Sequence, residues 1–169
     1  EQDNRNYARS ARLIMFEPSD SMETKEMMKD AFELSERYDV PALFRMTTRV
    51  CHSKSIVDCS ERVEPEDKKY EKDILKYCPL PAHAKVMQKK LNANLEKARE
   101  YSNDCRWNYI VDNNSKIGII SSGISYQYAQ EVFGDEASYL KIGFSYPLPD
   151  ELIKQFAKLV DTIYVIEEN

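Results

Sequence analysis

Long apolar runs are missing from this sequence. The most extended ones, such as Ile117-Gly-Ile-Ile120, have the length of a β-strand, far short of the roughly 20 residues that a membrane-spanning helix needs. No signal peptide opens the chain either, so a membrane role is not expected. A Cys-x-x-Cys pair is also missing. Cys51, Cys59, Cys78 and Cys105 are scattered, which excludes a zinc ribbon or a ferredoxin-type cluster within the chain and predicts reduced thiols. There is no surplus of basic residues: 24 Lys and Arg face 29 Asp and Glu, for a net charge of −5. Nucleic acid, which selects a basic surface, is therefore not an expected partner. Histidine is scarce, with only His52 and His83, so imidazole acid–base chemistry has few actors. An initiator methionine is absent as well, and the chain reads as an excised piece of a cytoplasmic protein.

What is present is a 169-residue chain that is 42% hydrophobic, enough to build a core in one domain or two small lobes. Leu13-Ile-Met-Phe16 reads as a strand, followed by a turn in which Asp20 and Glu23 have capping-box spacing. Met27, Met28, Ala31, Leu34 and Tyr38 recur every three to four residues and predict a helix that ends before Pro41. Pro41 to Phe44 is a second strand, giving a β-α-β rhythm and hence a parallel sheet. A charged connector follows. Pro79-Leu-Pro81 can open a helix, because proline at the first position sacrifices no internal hydrogen bond. Val86, Met87, Leu91, Leu95 and Ala98 then support a long helix from Ala82 to Tyr101. The last third alternates: strands at Trp107–Asp112, Lys116–Ser121, Ser138–Gly143 and Thr162–Ile166, and helices at Gly123–Phe133 and Glu151–Val160. From Trp107 onward this predicts a parallel βαβαβ unit covered on both faces.

Two segments hold candidate chemistry. Ser121-Ser-Gly-Ile-Ser125 lies between a strand and a helix, where backbone amides can hold an anion, although its single glycine also suits a plain turn. Arg45-Met-Thr-Thr-Arg49 followed by His52 gathers two guanidiniums, two hydroxyls and an imidazole at the end of a predicted parallel strand, the usual side for a ligand crevice. An arginine there can clamp a carboxylate. It can equally sit in a structural ion pair, with Glu17 or Asp20 as acid. Glu1-Gln-Asp-Asn-Arg5 is similarly open between solvated coil and function.

Taken in order, these segments resemble the large subunit of the indolepyruvate ferredoxin oxidoreductases. The resemblance rests on Glu1-Gln-Asp-Asn-Arg5, Phe16-Glu-Pro-Ser-Asp-Ser21, Arg45-Met-Thr-Thr-Arg49, Cys51-His-Ser-Lys-Ser55, Ile117-Gly-Ile-Ile-Ser-Ser-Gly-Ile-Ser-Tyr126, Leu140-Lys-Ile-Gly143 and Tyr146-Pro-Leu-Pro149. Met46, Cys51 and Ser55 stand where the family has threonine, serine and glycine. The resemblance implies an internal fragment of an α/β protein: the end of a thiamine-diphosphate-binding, pyrimidine-type domain over 1–55, a connector with a long helix over 56–106, and a truncated transketolase-C-like domain over 107–169. It implies oxidative decarboxylation of indolepyruvate and related aryl pyruvates to acyl-CoA. Thiamine diphosphate, magnesium and 4Fe-4S clusters would serve the full-length enzyme, with none bound by this piece, which alone would be inactive. A smaller β subunit, ferredoxin and coenzyme A are the implied partners. Arg49, His52 and Thr48 are the implied substrate-binding residues and Gln2, Asn4 and Arg5 the cofactor-binding ones; no catalytic residue or metal ligand is assigned. The alternative is a free-standing α/β ligand-binding or subunit-interaction module without catalysis.

Overall fold

The computed structural model describes residues 3–64, 67 and 69–168. Helix α1 (Arg5–Ala11) leads into β1 (Ile14–Phe16), α2 (Ser21–Tyr38) and β2 (Ala42–Phe44). β1 and β2 pair in parallel, as the rhythm predicts. Asp20 caps α2, its carboxylate accepting from the Glu23 amide at 2.8 Å. The reciprocal half of the box is shifted by one residue, because the Glu23 carboxylate accepts from the Ser19 amide instead. Met27, Ala31, Leu34 and Tyr38 are buried on one face of α2, and Met28 is left exposed beside them.

Short helices α3 (Thr48–His52) and α4 (Ile74–Tyr77) precede α5 (Pro81–Asp104), with Pro81 in its first turn. Only the C-terminal half of the α5 stripe reaches the core: Leu95 and Ala98 are buried, Val86 is exposed. The final third holds β3 (Asn108–Val111), β4 (Ile117–Ser121), α6 (Gly123–Phe133), β5 (Ser138–Ile142), β6 (Phe144–Tyr146), α7 (Asp150–Phe156) and β7 (Thr162–Ile166). Four of these strands form a sheet in the order β3-β5-β4-β7. Tyr126 and Ala129 of α6 cluster with Ile119 and Tyr139. Phe156 and Val160 cluster with Leu140 and Ile142. Since alternate strand residues point to opposite faces, helices cover both sides.

The expectation of a parallel unit from Trp107 onward needs correcting at its first strand. β4, β5 and β7 are mutually parallel, but β3 runs antiparallel to β5. The reason is length: the 112–116 loop turns the chain back, whereas a parallel crossover needs a dozen or more residues. A second feature was not foreseen. The strand expected over Ser138–Gly143 continues past Gly143 as β6, which joins the other sheet antiparallel to β1 in the order β2-β1-β6.

Asn108 pins this crossing from one sheet to the next. Its Oδ1 accepts from the Gly143 and Phe144 amides, each at 2.9 Å, while Nδ2 donates to the carbonyls of Ser102 and Phe144. Gly143 is needed for close approach: a Cβ there would meet Met27 Cε at 2.6 Å and the Trp107 carbonyl oxygen at 2.9 Å. The rim strand β7 is paired on one side only, with β4, among the described residues. Its Ile163, Tyr164 and Val165 are 37%, 55% and 61% exposed.

Candidate functional site

The carboxyl ends of β1 and β4 meet in a crevice between the two sheets. β1 is entirely apolar and buried, and the residue that follows it, Glu17, is buried too. A carboxylate at that depth needs a cation, and β2 supplies one. Arg45, also buried, donates from Nη1 to Glu17 Oε1 at 3.3 Å, from Nε to Asn4 Oδ1 at 3.0 Å and from Nη2 to the Glu168 carbonyl oxygen at 2.9 Å. All three guanidinium nitrogens are occupied, so Arg45 is a structural tie joining the N-terminal helix, β1 and the segment after β7.

Beside this tie lies a cleft of about 210 Å³, lined among others by Arg5, Glu17, Ile120, Ser122, Ser145 and Glu167. Two of its buried polar atoms, Glu17 Oε2 and Ser145 Oγ, have no hydrogen-bond partner. Such atoms are costly unless something meets them, which marks the cleft as a place where a polar ligand group or water is held. Arg5 is fixed at its mouth by Asp3 at 2.8 Å and Glu167 at 2.9 Å. Hydrogen bonds from Arg5 hold the Asp3 carboxyl down to about 2.

The expected substrate-binding residues Thr48, Arg49 and His52 all lie on α3, exposed at the end of β2. Arg49 is the most open cation of the group, with its side chain 65% exposed; it pairs with Glu168 Oε1 at 3.4 Å and lies 5.8 Å from the centre of the Tyr128 ring. The acids weighed for it in the sequence, Glu17 and Asp20, are engaged elsewhere: Glu17 by Arg45, Asp20 by the start of α2. Of the expected cofactor-binding residues, Asn4 touches Arg45 and Arg5 lines the cleft, while Gln2 lies outside the described residues. Glu168 is what brings the two groups together, holding Arg45 at its carbonyl and Arg49 at its carboxylate. The Ser121 hydroxyl, in the turn weighed as an anion site, donates to the Ile166 carbonyl at 2.8 Å and ties β4 to β7.

Sequence reasoning passed over a second buried charge. Lys141, in the middle of β5, contacts the Glu23 carboxylate and lies over the rings of Tyr109 and Tyr126. Burial pushes its ammonium down to about 8, opposed by the Asp20 carboxylate. A lone lysine inside Tyr139-Leu-Lys-Ile142 was the available signal, as was a glutamate directly after an apolar strand for Glu17.

No protein-family model matches the chain. The indolepyruvate oxidoreductase subunit IorA of Methanothermobacter thermautotrophicus is 40% identical to it over 174 residues, covering 99% of this chain and 28% of that subunit. The chain is homologous to one segment of IorA. The IorA subunits of Thermococcus kodakarensis and Archaeoglobus fulgidus, at 35% and 33% identity, align over the same shares. The resemblance read from the motifs is thereby borne out. The chain spans 28% of the length of the curated relatives it matches. No helix among its described residues is long and apolar enough to cross a membrane.

Proposed function

We propose that this chain is part of the large subunit of a thiamine diphosphate-dependent 2-oxoacid:ferredoxin oxidoreductase that converts indolepyruvate and related aryl pyruvates to acyl-CoA. The observation that carries this reading is the similarity to subunits named IorA along 99% of the chain. On this reading residues 1–55 end a pyrimidine-binding domain, 56–106 connect, and 107–169 belong to a transketolase-C-like domain. The enzyme is cytoplasmic and works with a smaller second subunit, ferredoxin and coenzyme A.

Thiamine diphosphate with magnesium and 4Fe-4S clusters supply decarboxylation and electron transfer when bound to such an enzyme. Among the described residues no group of three or more His, Cys, Asp or Glu can hold a metal ion. The cleft, at about 210 Å³, is smaller than the roughly 300 Å³ at which ligand pockets begin. Those groups are assigned to the complete enzyme, and the 169-residue chain alone is expected to be inactive.

The role assigned to the chain's own side chains is recognition. Arg45 is fully engaged; Arg49 is exposed and permanently charged, and a guanidinium can give a carboxylate two parallel hydrogen bonds. We assign the 2-oxoacid carboxylate to Arg49 with Thr48 and His52, and the approach of the cofactor to Gln2, Asn4 and Arg5. The test is an assay of the intact gene product with its partner subunit. Indolepyruvate, thiamine diphosphate, magnesium and coenzyme A should together support reduction of a viologen dye; no reduction with any aryl pyruvate overturns the proposal.

A further inference from the structure

Three arginines line one open hollow of about 370 Å³. Its walls include Arg9, Arg12, Asn92, Glu96 and Arg99. The chain as a whole carries a net charge of −5, so three cations gathered against two carboxylates, Glu96 and Asp150, run against its average. Like charges brought this close repel, and the arrangement is relieved when an anion enters.

The geometry is held from both sides. Arg12 stops α1 in the left-handed conformation, with φ 58°, and its Nη1 donates to Asn92 Oδ1 of α5 at 2.7 Å. Arg99, two turns further along α5, is anchored by Asp150 at 2.9 Å and by Glu96 at 3.4 Å. Arg9 is exposed, and among the described residues it has no ion pair or hydrogen bond of its own. A favourable contact with the end of the α1 dipole accounts for Arg9 by itself, but not for Arg12 and Arg99 arriving from separate elements. Arg9 also lines the crevice described above, so it stands on the divide between the hollow and the cleft.

We propose that this hollow is a binding site for a phosphate or diphosphate group, with Arg9 as its free ligand-seeking arm and Arg12 and Arg99 as pre-positioned supports. Planar guanidinium forks match phosphate oxygens in pairs. Because Arg9 faces both cavities, the ligand is one whose anionic end rests here while its body extends toward the cleft. The proposal does not rest on the oxidoreductase reading, since it would hold for any phosphorylated ligand of that shape.

Inorganic diphosphate is the first probe, titrated into the full chain by calorimetry and followed in parallel by ³¹P resonance shifts. Saturable binding is expected. Arg9→Ala and Arg12→Ala should each weaken it about tenfold, whereas Arg37→Ala, which removes a remote surface guanidinium, should leave it unchanged. Glu96→Gln should tighten binding by withdrawing the carboxylate that competes for Arg99. Circular dichroism melts of each variant separate loss of binding from loss of fold. Absence of saturable binding to the folded wild-type chain, or equal weakening by Arg9→Ala and Arg37→Ala, overturns the proposal. A nucleoside diphosphate binding more tightly than diphosphate alone would support extension toward the cleft; identical affinity would confine the site to the anion and overturn that extension.

Discussion

Arg45 donates its Nη2 to the backbone carbonyl of Glu168 at 2.9 Å, linking positions 123 apart in sequence. Through this one side chain the first parallel strand pair, the N-terminal helix and the segment after β7 share a single polar tie, with the buried Glu17 carboxylate as counter-charge.

Removing that cation strands a buried carboxylate. Arg45→Met should lower unfolding free energy by about 3–5 kcal/mol, the usual cost of breaking a buried pair from one side. The double variant Arg45→Met, Glu17→Met should recover most of it. Urea unfolding of the three proteins checks this; a double variant no better than the single would show that the tie stabilises through Asn4 and Glu168 instead.

Arg49 is expected to behave in the opposite way. Being exposed, it adds little to stability, so Arg49→Met should leave the melting temperature nearly unchanged. In the complete enzyme it should reduce kcat/KM for the 2-oxoacid roughly 10- to 100-fold, equivalent to about 1.5–3 kcal/mol. Unchanged kinetics with a lowered Tm would assign Arg49 to the fold.

Asn108 holds the step from β5 to β6 by using both ends of its amide. Asn108→Leu has a similar volume but removes four side-chain hydrogen bonds to buried amides and carbonyls, at about 3 kcal/mol in total. Hydrogen exchange should report the loss first at Gly143 and Phe144. Protection there equal to wild type would mean that the Gly143 amide bond to the Trp107 carbonyl suffices.

Burial pushes the Cys105 thiol up to about 11, whereas an unfolded cysteine titrates near 8.5. The fold favours the neutral thiol, so this contribution is intact below about pH 8.5 and is lost as pH rises toward 11. The stability difference between wild type and Cys105→Ala should therefore move against wild type by about 3 kcal/mol between pH 8 and pH 11. At pH 8 a maleimide should label the exposed Cys51 and Cys59 well before Cys105. Equal labelling rates would mean that the site opens readily.

Local chemistry was the legible part of this chain. The Asp20 cap, the apolar face of α2, Pro81 in the first turn of α5, and the bounds of α6 and β7 all follow from residue type and spacing within a few turns. Strand direction was legible only where a helix intervened. At β3 the brief 112–116 loop sets the strand direction against the β-α-β rhythm around it. The charges were hidden for another reason. Glu17 with Arg45, and Glu23 with Lys141, are paired across 28 and 118 positions, and no periodicity within one sequence signals such partners. What a sequence can show is the anomaly of a charge where an apolar residue belongs.

The rim strand β7 has a practical consequence for work in solution. Ile163, Tyr164 and Val165 stand in solvent on a strand that, among the described residues, is paired on one side only, and an unprotected edge is a template onto which a neighbouring molecule can zip. Concentrated preparations of the chain should scatter light and melt at a temperature that climbs with protein concentration, as stability becomes tied to association. A single Val165→Lys change, placing a charge that no docking strand can bury cheaply, should abolish that dependence and keep the chain monodisperse.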